Sequence, residues 1–348
     1  MFVAGVPSYL IDLGNNEAKR WAAVASREKA VAGRLVREAA AEFERVPELL
    51  RWVFARLYQA FGGLYQGEIE TWADALGVSL GTATMLNCAY ELSHLRWPKL
   101  FGCTAGVRWV EAVGMVHVRT LDWPSATRGS ATRLFRFRRG AREFVSVGVP
   151  GQVGVLSGMV PQAYSVTINW APPAAFPSFD FGPTFLLRET LEACDSYDAA
   201  VETLTQTRLS TSVFFTVCGT QKAQACVIER TQCEAAVREM TGPMLVQANH
   251  HVAERFVKNN EELPQLGEGE DDFSLQGSSR RADTLDCALR QLRLACTLDE
   301  AANTLNAGTV LNKDTCQQMV FCPRTGDVKV WRRTEGYGAA GNPSRPTA

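Results

Sequence analysis

Cys103, Arg119 and Asp122 stand close together in FGCTAGVRWVEAVGMVHVRTLDWP, residues 101–124. A thiol beside a guanidinium and a carboxylate is a set suited to nucleophilic catalysis. The thiolate is the attacking form, and a thiol needs a base to reach it at neutral pH. Two kinds of base are open on the residues alone. One is a histidine, for which His117, His250 and His251 are the candidates. The other is the cysteine's own α-amino group, whose ordinary pKa of about 7.7–8.0 suits proton transfer near neutrality. That second route requires the Gly102–Cys103 peptide bond to be cut, which makes residues 1–102 a pro-segment.

The same stretch predicts a β-hairpin, TAGVRWV and MVHVRTLDW around a short loop at residues 111–114. A symmetric hairpin sets position 103 opposite position 122. Arg119 lies an odd number of residues from Asp122, so it shares that face only if the strand bulges.

The elements around this stretch change character at Cys103. Residues 16–95 read as helices, with apolar residues at three- and four-residue steps, Pro47 opening one helix and Ser79 as an N-cap. After Cys103 come short β-branched and aromatic runs divided by Gly and Pro: RLFRFRRG, REFVSVGVP, QVGVLSGMV and AYSVTINW, then SVFFTVCG, AQACVIERTQ, CEAAVREMT and MLVQANH. A helix is expected over residues 181–207, and others at RRADTLDCALRQLRLAC and LDEAANTLN, before two closing strands in QQMVFCPRTGDVKVWRR. The acidic stretch 258–276 reads as a mobile loop and the Gly/Pro-rich tail, residues 334–348, as disordered. Strands interleaved with helix pairs predict an α+β layered fold, sheets inside and helices outside.

Composition narrows the class. The 348 residues are 46% hydrophobic and 21% charged, and 36 basic against 37 acidic residues leave a net charge of −1. Nothing in that balance points to nucleic acid, and no run of residues is long and apolar enough for a membrane span. The ten cysteines form no CxxC and no regular framework, and the four histidines match no zinc spacing, so no metal or cofactor is expected. The first residues show no basic segment followed by an apolar one. That pattern, with unpaired cysteines, predicts a cytoplasmic location, or a lysosomal or secreted one had a signal been trimmed.

CTAG followed by VHVRTLDW, a Cys with R-x-x-D on the second strand, resembles the N-terminal nucleophile (Ntn) cysteine hydrolases. The resemblance is strongest to the acid ceramidase and N-acylethanolamine-hydrolysing acid amidase branch, related to choloylglycine hydrolases and penicillin V acylases. It covers nearly the whole chain: VPSYLIDLGNNEAKRW, LGVSLGTATMLNCAYELSHL, GQVGVLSGMVPQAYSVTINW, LVQANH and MVFCPRTGDVKVW each resemble a stretch of that branch, in order.

What the resemblance implies is a four-layer αββα Ntn-hydrolase sandwich over residues 103–333, preceded by a helical pro-segment or α-subunit over residues 1–102. Autocatalytic cleavage at Gly102–Cys103 would free the amine. Cys103 would then be nucleophile and, through its amine, base. Arg119 would sit beside the thiolate and Asp122 would orient the amine. Asn249, with Asn169 as a second contributor, would donate to the oxyanion, and Arg281 matches a family arginine, with Arg280 as the fallback. The chemistry implied is amidase hydrolysis of the C–N bond of a linear, fatty-acyl amide through a thioester. Transfer of the acyl group to an amine, a bile salt or penicillin V amidase, and an uncleaved homologue that only binds a lipid or a partner are the alternatives. The aromatic loop carrying Trp170, Phe176, Phe179 and Phe181 suits the wall of an acyl pocket. Contact with a lipid aggregate and self-association stay open. Two positions depart from the branch: Trp170, where an acid or Arg is frequent, and Gln162, where Gly is common.

Overall fold

The computed structural model of the chain describes residues 2–43, 46–60, 63–94, 102–125, 127–263 and 274–334. Most of the acidic stretch and of the tail lies outside the described residues. Two short strands open the chain, β1 (Phe2–Ala4) and β2 (Ser8–Asp12). Helices α1 (Glu17–Arg20), α2 (Ala22–Phe43), α3 (Glu48–Ala60), α4 (Gln66–Leu76), α5 (Leu80–Asn87) and α6 (Ala89–Ser93) follow. Ser79 caps α5 as expected, its hydroxyl accepting from the Thr82 N–H.

Past Gly102 the chain turns to strands: β3 (Gly102–Val110), β4 (Gly114–Asp122), β5 (Arg133–Arg139), β6 (Arg142–Gly148), β7 (Ser157–Val160) and β8 (Tyr164–Trp170). The helix expected over 181–207 is two, α7 (Pro183–Ala193) and α8 (Tyr197–Gln206), because Ser196 stops one run and caps the next. Strands β9 (Val213–Cys218), β10 (Ala225–Arg230), β11 (Ala235–Glu239) and β12 (Met244–Gln247) come next. Helices α9 (Leu275–Gln291) and α10 (Leu298–Asn303) then lead to β13 (Thr315–Cys322) and β14 (Asp327–Arg333).

The fold is α+β, with two facing sheets between helical layers. One sheet has the order β1-β14-β13-β4-β3-β12 and the other β11-β10-β9-β8-β7-β6-β5-β2. Val145, Val147 and Met159 of one sheet meet Met319, Phe321 and Val330 of the other. Outside the first sheet, Leu285 and Leu289 of α9 and Leu298 of α10 bury Val116, Val118 and Val320. Outside the second, Leu186, Leu187 and Leu191 of α7 pack with Val166 and Ile168. Alternation along each strand explains the layering: even-numbered residues of β8 face α7 while Ser165, Thr167 and Asn169 face the other sheet.

Gly106 sets how close α9 can lie, because a Cβ there would come within 2.7 Å of a Leu289 methyl. Gln162 adopts φ +64° in the β7–β8 turn, the left-handed region that favours Gly. This gives a physical reason for the Gly common at that position.

The region before Gly102 is more than helical, and this departs from the sequence reading. Strand β1 pairs with β14, and β2 pairs in parallel with β5, so the first twelve residues complete an edge of each sheet. The helices are anchored too. Glu68 of α4 is fully buried and accepts from Arg188 of α7, from Arg20 and from the Trp21 indole. Glu28 of α2 takes both ends of the Arg133 guanidinium from β5.

Candidate active site

The β3–β4 hairpin brings the thiol and the guanidinium together, but in a register one residue from the symmetric expectation. Cys103 pairs with Leu121, and Asp122 pairs with Gly102. Because side chains alternate, this shift decides which residues share a face. Cys103, Leu121 and Arg119 point between the sheets, and no bulge in this strand pair is needed to bring Arg119 there. Gly102, Asp122, Thr104 and Thr120 belong to the other face, under α9. The prediction that Cys103 and Asp122 are direct cross-strand partners is therefore corrected: Asp122 lies beside the Gly102–Cys103 peptide rather than across from the thiol.

Between the sheets, Arg119 donates from Nη2 to Cys103 Sγ at 3.1 Å and to the Ile168 carbonyl at 2.6 Å, and from Nη1 to Ser157 Oγ. Cys103 and Arg119 are fully buried. Burial pushes the Cys103 thiol up, and Asp122 adds to that. The Arg119 charge and a hydrogen bond from the Trp170 main chain pull it back. The thiol of the intact chain is thus held above its ordinary range, with the cation that would stabilise its thiolate already in place.

On the α9 side, Asp122 accepts from Thr315 Oγ1 at 2.7 Å, and its Oδ2 lies 4.0 Å from Arg281 Nε. Among the described residues Oδ2 is a buried acceptor with no hydrogen-bond partner. Arg281 also donates to Thr104 Oγ1 at 3.2 Å and to Asn249 Oδ1 at 2.6 Å. Arg280, the alternative position, is exposed. Helical spacing explains the choice: Ser278, Arg281, Leu285 and Leu289 form one stripe of α9 against the sheet. Ser278 Oγ accepts from the Asn249 N–H at 2.8 Å.

Asn249 reaches the Cys103 nitrogen. Its Oδ1 accepts the Cys103 N–H at 3.0 Å, while its Nδ2 donates to the Trp170 carbonyl at 2.8 Å. Asn169 answers from the opposite sheet, its Nδ2 donating to the carbonyls of Gln247 and Ala248 at 2.9 and 3.0 Å. The two asparagines clasp the ends of β8 and β12. In the intact chain Asn169 uses both N–H groups of its amide on main-chain carbonyls, and Asn249 uses one of its two on the Trp170 carbonyl.

His117 shares the inter-sheet face but serves differently. Its ring lies between Ser165 Oγ and Thr167 Oγ1, each at 3.0 Å. Burial, reinforced by the Arg119 charge, pushes its pKa down to about 3. His250 and His251 contact Ser278 and Glu229 rather than Cys103. The histidine-base route therefore has no geometric support in the described contacts. A stability prediction follows for His117. The unfolded chain takes up this proton near the ordinary pKa of 6.5 and the folded chain only near 3, so stability falls as pH drops between them. The loss is about 1.4 kcal/mol per pH unit from this one residue. His117→Gln keeps partners for both hydroxyls and cannot titrate. Its urea-unfolding free energy is expected to fall less steeply than that of the unsubstituted chain toward about pH 4.

The aromatic residues divide. Phe176, Phe179 and Phe181 line a cavity of about 990 Å³, together with Leu50, Phe54 and Tyr58 from the N-terminal region. Trp170 does not line it, contrary to expectation. Its ring is buried, stacks on His94 at 5.0 Å and donates to Ser93 Oγ, so it fixes α6 to β8. The next turn of contacts is Tyr90, whose hydroxyl donates to the Ser212 carbonyl at 3.0 Å. Cys88, Glu91 and Leu92, around Tyr90 on the same short helix, face the cavity. Sequence reasoning missed Tyr90, Thr104, Ser157, Ser278 and Thr315. Only Ser278, three residues before Arg281 on a helix, carried a usable signal.

Among the described residues no helix is long and apolar enough to cross a membrane, and no group of three or more His, Cys, Asp and Glu is placed to hold a metal ion. All ten cysteines are unpaired, eight of them buried.

No protein-family model matches the chain. It is 28% identical over 176 residues to the N-acylethanolamine-hydrolyzing acid amidase of Mus musculus, a match covering 48% of this chain and 47% of that protein. It is 25% identical over 263 residues to acid ceramidase of the same species, covering 66% and 65%. The chain thus spans about half the length of that amidase. A solved Caenorhabditis elegans N-acylethanolamine-hydrolyzing acid amidase ortholog superposes with a TM-score of 0.53 at 23% identity, over 65% of this chain and 94% of that one, and shows the shared fold. With its motifs in order along that fold, the chain is similar to the N-acylethanolamine-hydrolyzing acid amidases and acid ceramidases over half to two thirds of its length.

Proposed function

We propose that this chain is an amidase that first cuts itself between Gly102 and Cys103 and then hydrolyses the C–N bond of a linear fatty-acyl amide. The observation that carries the reading is the pair of contacts on one residue, Arg119 on Cys103 Sγ and Asn249 on Cys103 N. Any buried peptide N–H needs an acceptor, but a structural cysteine has no need of a buried guanidinium aimed at its sulfur.

In the maturation step Sγ attacks the Gly102 carbonyl carbon, the C–N bond breaks, and the nitrogen leaves as the Cys103 amine. Water then hydrolyses the Gly102 thioester to a carboxylate. The unpartnered Asp122 Oδ2, on the strand position opposite Gly102, is available to accept from the new amine. The freed amine takes the thiol proton, and the thiolate, steadied by Arg119, attacks the substrate amide. The acyl group passes to sulfur and the proton to the leaving amine; water then hydrolyses this thioester, releasing the fatty acid and returning the proton to the sulfur. Asn249, whose amide has a second N–H besides the one on the Trp170 carbonyl, is the oxyanion donor, a contribution of about 3 kcal/mol in comparable sites.

The cavity supports a lipid substrate. Apolar side chains form most of its wall, and Leu50 and Phe176 at its lining are 55% and 81% exposed. Leu49 and Trp52 on α3 extend that apolar surface. The test is fatty-acid release from N-palmitoylethanolamine, followed against the fraction of chain cleaved at Gly102–Cys103. Release is expected to rise in proportion to the cleaved fraction. A fully cleaved chain that releases nothing, or an intact chain that turns over equally well, sinks the reading.

A further inference from the structure

The cavity has one polar spot inside its apolar wall. Glu91 of α6 and Ser210 both line it, buried and facing each other, and beyond that mutual interaction neither Glu91 Oε2 nor Ser210 Oγ has a hydrogen-bond partner among the described residues. The charged residues Arg208 and Asp180 also belong to the cavity but sit 3.7 Å apart as an exposed pair. Glu91 follows Tyr90, whose hydroxyl donates to the main-chain carbonyls of Asn169 and Ser212, so the polar spot lies on the helix that packs against the end of β8. Gly182 keeps room for it, because a Cβ at that position would overlap the Glu91 carboxyl.

Such an arrangement is costly when empty of partners. A carboxyl and a hydroxyl buried with only each other for partners lose more hydration than that one interaction returns. Burial pushes the Glu91 carboxyl up to about 7, so near neutrality a large share of it is protonated, able to donate as well as accept. Ser210 has the same double capacity. A ligand hydroxyl can bond to both groups at once, whereas a plain hydrocarbon leaves their remaining hydrogen-bonding capacity unfilled. Sites built around a hydroxyl reject analogues that lack it far more strongly than apolar pockets sort chain lengths.

We propose that Glu91, with Ser210, is a specificity-determining residue that selects acyl chains carrying a free hydroxyl. The inference rests on the cavity being the acyl site of the amidase described above, and it is tested without turnover. The full-length Cys103→Ala chain is titrated calorimetrically with palmitic acid and with a series of monohydroxypalmitic acids differing in hydroxyl position. At least one isomer is expected to bind about tenfold more tightly than palmitic acid. Glu91→Leu is expected to erase that preference while palmitic acid binds as well or better, and Ser210→Ala, a smaller change, to reduce it. Palmitic acid binding as tightly as every isomer overturns the proposal, as does a preference that survives both substitutions, or no binding of any of the acids. A clear hydroxyl preference in a chain whose Cys103 form never cleaves an amide would count against the amidase reading alone. Amide hydrolysis with no such preference would count against this inference alone.

Discussion

Cys103→Ala is expected to leave only the 38.2 kDa chain in a denaturing, reducing mass measurement, while the unsubstituted protein yields pieces of about 11 and 27 kDa. Amide hydrolysis should fall about a thousandfold or more, because nucleophile and base are lost in one change. The reason lies in what surrounds the residue. Arg119 is oriented by Ser157 and Ile168 and points at sulfur; Asn249 is oriented by Ser278, Arg281 and Trp170 and points at nitrogen. Alanine removes the atom that Arg119 addresses and leaves a buried guanidinium donor without an acceptor. Cys103→Ser keeps an oxygen nucleophile and separates the two roles: slow cleavage with feeble turnover is the expected result. Fragments of the same mass from Cys103→Ala would mean that another residue or a protease makes the cut.

Arg188→Met is expected to cost about 3–5 kcal/mol of stability and to let the two pieces of the cleaved protein come apart. Arg188 lies after the proposed cleavage point and Glu68 before it, and both are fully buried, joined at 2.5 and 2.7 Å. The Arg188 guanidinium also covers the Tyr65 ring at 4.0 Å. Replacing Arg188 strands a carboxylate with only Arg20 and Trp21 left beside it. Burial alone would raise the Glu68 pKa, but the Arg188 charge and the hydrogen bonds outweigh it and hold the carboxyl below its ordinary range. The clasp is therefore at full strength above the ordinary carboxylate pKa and is lost as pH falls through the lowered one. Gel filtration of the cleaved protein checks both statements. The pieces should co-elute for the unsubstituted protein near neutrality, separate for Arg188→Met, and loosen in strong acid. Co-elution of the Arg188→Met pieces at full stability would show that the strand pairings of β1 and β2 suffice.

Those two strands mark where sequence reasoning stopped. SYLID pairs in parallel with a strand more than a hundred residues away, and no local pattern announces a parallel partner. The helices of the same region were legible because their apolar period is local. The β3–β4 hairpin was legible as well, and its partners nearly so, yet the turn ends on Gly114 at φ +102° and the register shifts by one residue. One residue is enough to exchange the faces: it puts Arg119, not Asp122, beside the thiol.

What the sequence determined by itself, then, is the set of residue types and the order of motifs, since Cys103, Arg119, Asp122, Asn169, Asn249 and Arg281 could all be named from spacing and resemblance. Their division of labour was decided in three dimensions. The Asn249–Cys103 and Arg281–Thr104 contacts join residues 146 and 177 positions apart, through the meeting of two sheets and a helix. The cavity, with Glu91 and Ser210 facing each other inside it, exists only because α3, α6 and the loop before α7 converge. Periodicity records which face of an element is buried; it does not record what that face will meet.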